Sequence, residues 1–135
     1  MTIELMTIPD QVFCATDACL PRWRVLAVAI NRTNRAWMLQ EIRICVKGRQ
    51  RSHTRTCSGD RLDRLITHGS RSLARKGGLV AEISDDGKVK APRSVTLRML
   101  FSCRHGKSTS VARRVELPTY RTIWLEFPLA GRWTA

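Results

Sequence analysis

The sequence RICVKGRQRSHTRTCSGDRLDRLITHGSRSLARKGG, residues 43–78, passes from a strand pattern through a basic loop into a basic amphipathic segment. In its second half Leu62, Leu65, Ile66 and Leu73 fall on one side of a helix at about 100° per residue. Arg61, Arg64, His68, Arg71 and Arg75 recur at spacings of three and four and form a second stripe, roughly 140° from the first by the same helical arithmetic. Ser58 or Asp60 can cap the start, and Asp60 and Asp63 suit the positive end of the helix dipole. Arg71, Arg75 and Lys76 suit the negative end, and Gly77 and Gly78 stop the helix. Gly69 is the one residue inside it that weakens the pattern. The spacing predicts a helix over residues 60–76.

The flanking chain reads as strands. Residues 1–8 alternate weakly and end at Pro9, while residues 11–20 have no period. The run Arg22-Trp-Arg-Val-Leu-Ala-Val-Ala-Ile30 has the length and Val/Ile content of a buried strand, and NRTNR after it is turn chemistry. Residues 37–47 put Ile42, Ile44 and Val46 on one face and Glu41, Arg43, Cys45 and Lys47 on the other. Residues 48–57 are polar and basic, which predicts an exposed loop. Residues 79–84 form a short strand, and Asp85-Asp86-Gly87-Lys88 suits a tight hairpin. Val95, Leu97, Met99, Phe101 and Cys103 alternate with Thr96, Arg98, Leu100 and Ser102, followed by a loop and two further strand patterns at 111–117 and 120–127. The expectation is a single α+β domain over residues 1–135, its N-terminal 20 residues loosely ordered, in which a mostly antiparallel sheet packs against the one basic amphipathic helix.

The chain of 135 residues has a net charge of +13, which favours polyanionic partners and repels the chain from itself. Of 24 basic residues 19 are Arg, whose planar fork matches phosphate oxygens. Residues 43–76 carry ten Lys or Arg against two acids. The N-terminus has acids and a proline where a signal peptide has basic and apolar regions, and no 18-residue apolar run occurs, so an intracellular, cytoplasmic or nuclear setting is expected, with reduced cysteines.

Motifs for chemistry are weak. Gly106-Lys107-Ser108-Thr109 copies the end of a phosphate-binding loop, yet Phe101 stands where that loop needs glycine and a strand pattern follows where it needs a helix. Cys45, His53 and Cys57 lack the close spacing of a zinc site, and the 11 acids form no pair suited to general acid and base work. No enzyme, metal or cofactor is expected.

Lys47, Arg49, Arg51 and Arg55 of the loop, with Arg61, Arg64, Arg71, Arg75 and Lys76 of the helix, therefore form the expected site, tracking a phosphate backbone without reading bases. Aromatics are few, at 6%, which disfavours splayed-base recognition. The function expected is a non-enzymatic nucleic-acid-binding protein, with RNA or nucleoprotein favoured over DNA, of the kind a virus uses as an accessory or structural protein. The alternative is a matrix-like membrane-surface or protein-assembly module, self-associating or bound to anionic lipid, to which Trp23, Trp37, Trp124 and Trp133 near arginines would contribute.

Overall fold

The computed structural model describes residues 2–9 and 22–118. Strands β1 (Ile3–Ile8), β2 (Arg24–Asn31), β7 (Gly78–Ser84) and β5 (Ile66–His68) form one antiparallel sheet in the order β1-β2-β7-β5. Strands β4 (Ser52–Ser58), β3 (Trp37–Gly48), β8 (Pro92–Ser102) and β9 (Ser108–Glu116) form a second in the order β4-β3-β8-β9, and the two-residue β6 (Ser72–Leu73) pairs with the start of β3. The order is that of an immunoglobulin-type sandwich, with strands A, B, E, D on one sheet and C′, C, F, G on the other.

Alternation builds the core. Val25, Ala27 and Ala29 of β2 and Leu79, Ala81 and Ile83 of β7 face Ile42, Ile44 and Val46 of β3 and Val95, Leu97, Met99 and Phe101 of β8, all buried. Among the described residues Cys45, Cys57 and Cys103 are free. At one end of the sandwich the buried Asn31 ties the turns together. Its Nδ2 donates to the carbonyls of Arg35 (2.8 Å) and Ala74 (3.0 Å), and its Oδ1 accepts from the Thr33 backbone N–H at 3.0 Å.

The α+β expectation is overturned. The expected helix over 60–76 exists only as α1 (Gly59–Leu65), after which Ile66 turns extended at φ −75°, ψ 118°. Ile66 and Thr67 are β-branched, and the backbone of 66–68 finds hydrogen-bond partners on the free edge of β7, with Ile66 opposite Ala81. Gly69 then adopts φ +82°, where a side chain would also come within 2.9 Å of the Gly78 carbonyl. Leu62 and Leu73 do reach the core, but from a helical turn and a short strand respectively. The expected loop at 48–57 is mostly strand β4, whose alternate residues His53, Arg55 and Cys57 turn inward. The expected hairpin at Asp85–Lys88 is instead a crossover between the two sheets, since β7 and β8 do not pair. The strand pattern at 120–127 lies outside the described residues.

Candidate polyanion-binding cleft

Two connections meet at the end of the sandwich opposite Asn31. One is the β3–β4 hairpin, closed where the Gly48 N–H donates to the Arg51 carbonyl at 2.7 Å. The other is the β7–β8 crossover, which is shaped by Arg22. The Arg22 Nε donates to the Asp85 carboxylate at 2.7 Å, and its two terminal nitrogens donate to the carbonyls of Val89 and Lys90. Asp85 also accepts the Gly87 N–H at 2.9 Å. Burial pushes the Asp85 carboxyl up, but Arg22 and the Gly87 and Arg22 backbone N–H groups outweigh it and hold the group below its ordinary value of 3.8. Val89, 3% exposed, anchors the crossover in the core. Gly48 lets the hairpin approach it, because a Cβ there would lie 2.7 Å from Val89 Cγ1.

Between these connections lies a half-open cleft of about 570 Å³ whose charged lining consists of Arg49, Arg51, Lys88 and Lys90. The nearby acids point elsewhere. Asp85 is engaged by Arg22, and Asp86 by Arg55 at 3.4 Å with His53 at 3.9 Å. Among the described residues no carboxylate lines the cleft, so its cations face solvent unopposed. Such a concentration of one sign on a fixed backbone attracts and orients anions.

The sequence-expected site is divided by the fold. Arg49 and Arg51 line the cleft, and Lys47 is exposed beside it at the end of β3. Arg55 faces inward, donating to the Ser84 carbonyl and pairing with Asp86, so it is a structural tie between the sheets. Arg61 and Arg64 are exposed on α1, beyond the far end of β4 and about 20 Å from the hairpin at the rise of an extended strand. Arg71 pairs with Asp63 at 2.9 Å. Arg75 and Lys76 are exposed in the β6–β7 turn, where Lys76 has φ 59°. The continuous arginine stripe therefore does not exist, because the helix that would align it ends at Leu65. Lys88 and Lys90 join the site instead. The signal the sequence offers for them is that they flank a single apolar residue, Val89.

The other motifs resolve into ordinary structure. Lys107 lies in the β8–β9 turn beside Gly106 at φ +81°, with no helix following. Cys45 points out of β3 while His53 and Cys57 point inward from β4, and among the described residues no three metal-ligating side chains come together. Trp23 is buried, and half-buried Trp37 donates its Nε1–H to Thr33 Oγ1 at 2.9 Å. Trp124, Trp133, Cys14 and Cys19 lie outside the described residues. No helix among the described residues is long and apolar enough to cross a membrane.

No protein-family model and no curated protein matches the chain. Among solved structures, the structural-genomics target SoR45 superposes with a TM-score of 0.56 at 9% identity over 86% of each chain. Murine CRIg gives a TM-score of 0.47 at 12% identity, over 88% of this chain and 98% of that one. At such identity the SoR45 likeness speaks to the fold alone.

Proposed function

We propose that this protein is a non-enzymatic binding module that holds the phosphate backbone of a nucleic acid, RNA in preference to DNA, at the end of its sandwich. The observation that carries the reading is the cleft itself, in which Arg49, Arg51, Lys88 and Lys90 converge from two loops while Asp85 and Asp86 are engaged by Arg22 and Arg55. Contacts of this kind work by counterion release and carry no base discrimination. A small, arginine-rich accessory protein of a virus is the context that fits this chemistry. The test is fluorescence anisotropy with labelled RNA across a salt series. Changing all four cleft cations to Gln should weaken binding by at least about 30-fold at low salt and flatten the salt dependence, whereas Arg61→Gln with Arg64→Gln should do little. Equal loss from both sets would mean diffuse attraction by net charge, and absence of wild-type binding at low salt would end the reading.

One observation favours the second reading, a membrane-surface or assembly module. The outer face of the β1-β2-β7-β5 sheet carries half-buried Met6, Val28 and Val80 in one row and Ile8, 54% exposed, with Leu26 in the next. Flotation with anionic liposomes that depends on Ile8 and not on the cleft cations would replace the nucleic-acid reading with this one.

A further inference from the structure

The basic lining does not stop at the cleft. Lys47 stands at its rim, adjoining Gly48, on the outer face of the β4-β3-β8-β9 sheet. Further along β3, about 13 Å at the rise of an extended strand, Arg43 lies directly opposite Arg98 of β8. Like charges at directly opposed positions on neighbouring strands destabilise a sheet. Among the described residues this pair has one carboxylate between two guanidinium groups: Arg43 Nε is 2.5 Å from Glu41, while Arg98 meets the Ser110 hydroxyl, at 3.4 Å. An anion laid over the pair would relieve the repulsion. The neighbouring outward positions are mostly small, Thr54 and Thr56 on β4, Cys45 on β3, Thr96 on β8 and Ala112 on β9, and the threonine hydroxyls add donors for phosphate oxygens; the two carboxylates of this face are engaged, Glu41 by Arg43 and Glu116 by Arg114.

The geometry points to one extended, single-stranded phosphodiester chain that is seated in the end cleft and turns over the rim at Lys47 onto the outer face, ending on Arg43 and Arg98. This rests on the cleft reading and specifies the form of its ligand. The path changes direction where the end of the sandwich meets its side, within a few nucleotides. A duplex resists such a bend, since even 40–90° spread over 20–30 base pairs costs about 1–6 kcal/mol, whereas a single strand turns freely. Among the described residues no element projects from the flat face to enter a groove, and the outward positions of its strands carry no aromatic side chain for stacking. Binding is then through the backbone and tolerant of sequence.

Labelled oligouridylates of about four and about twelve nucleotides, and a duplex of about twelve base pairs, test this by anisotropy in a salt series. With four cleft contacts the short strand should show a log–log salt slope of about −3, and the long strand, adding Lys47, Arg43 and Arg98, about −5. Arg43→Gln with Arg98→Gln should weaken the twelve-mer roughly tenfold at low salt and leave the four-mer unchanged, with thermal melting of the variant matching wild type. Equal slopes for the two lengths, no effect of the double variant on the twelve-mer, or a duplex bound as tightly as the twelve-mer would each overturn the single-strand path while leaving the cleft in place. Failure of every probe to bind would remove the cleft reading as well.

Discussion

The Asp85 carboxylate and the Arg22 guanidinium form an ion pair at 2.7 Å with side chains only 2% and 12% exposed, and through it Arg22 reaches the carbonyls of the crossover that bears Lys88 and Lys90. Removing Arg22 takes the counter-charge from a buried carboxylate and releases the carbonyls of the crossover, so Arg22→Ala should destabilise by about 3 kcal/mol. Asp85→Asn keeps an acceptor for Arg22 and should cost less, about 1–2 kcal/mol. Because the folded pKa of Asp85 is depressed, its contribution is fully present above the unfolded value of 3.8 and is lost as pH falls through the lower folded value. Urea unfolding at neutral pH and again well below 3.8 checks the sign: the gap between wild type and Asp85→Asn should narrow in acid. A gap that widened would mean the pair does not stabilise the fold.

Gly48 couples the two loops of the cleft. A methyl group there would meet Val89 Cγ1 at 2.7 Å and the Ala91 carbonyl at 3.0 Å, so Gly48→Ala should cost about 1–3 kcal/mol by overpacking and push the loops apart. Gly59 is a useful contrast, having φ +57° and open space around its missing Cβ. Gly59→Ala should cost about 1–2 kcal/mol through backbone strain alone. Both variants lose stability in thermal or urea melts, but only Gly48→Ala should also lose affinity for RNA.

Leu62 is 0% exposed on α1 and Leu65 only half-buried beside it. Leu62→Ala should therefore cost about 2–5 kcal/mol, and Leu65→Ala clearly less, in urea unfolding. The pair also shows how far the fold was legible. The stretches Ile42 to Val46 of β3 and Val95 to Phe101 of β8 could be read because every second residue there is apolar and buried. The segment after Ser58 could not, because Leu62, Leu65, Ile66 and Leu73 satisfy helical spacing while reaching the core from three different elements. What separates the two readings is the free edge of β7, which offers the backbone of Ile66 and His68 hydrogen bonds that no local pattern reports. β4 was missed for a related reason. Its inward positions are His53, Arg55 and Cys57 rather than aliphatic residues, so its alternation is invisible to hydropathy.

Cys103 sits just beyond β8 in the tight turn to β9, with its backbone N–H donating to the Lys107 carbonyl at 2.9 Å. Desolvation pushes its thiol up, but the backbone N–H groups of His105 and Lys107 and the Arg35 side chain outweigh it, so the net shift is below the ordinary value of 9.0. The thiolate is the nucleophile, and more of it exists at a given pH when the pKa falls. Cys103 should accordingly be alkylated by iodoacetamide at a lower pH in the wild type than in Arg35→Gln, which should move the Cys103 profile upward. A Cys103 profile that Arg35→Gln leaves in place, followed by mass spectrometry of the peptides, would remove the effect.

Arg49 and Arg55 are close in sequence and opposite in role, which is the distinction the sequence could not make. Charge density along residues 43–76 is real, but which cations are available depends on where their acids lie: Arg55 is held by Asp86 of a distant loop, and Arg71 by Asp63. Among the described residues Arg49 and Arg51 have no such partner, and both line the cleft. Arg55→Gln should thus lower stability by about 1.5–3 kcal/mol, the usual worth of hydrogen bonds to a charged group, and leave the salt slope of RNA binding unchanged. Arg49→Gln with Arg51→Gln should do the reverse, changing stability by less than about 0.5 kcal/mol and flattening the slope for single-stranded RNA by roughly 1.4, since each removes one phosphate contact. Arg64→Gln with Arg71→Gln serves as the control, removing two cations that the fold places away from the cleft. If that control flattened the slope as much as the Arg49 and Arg51 pair, net charge and not the cleft would govern binding.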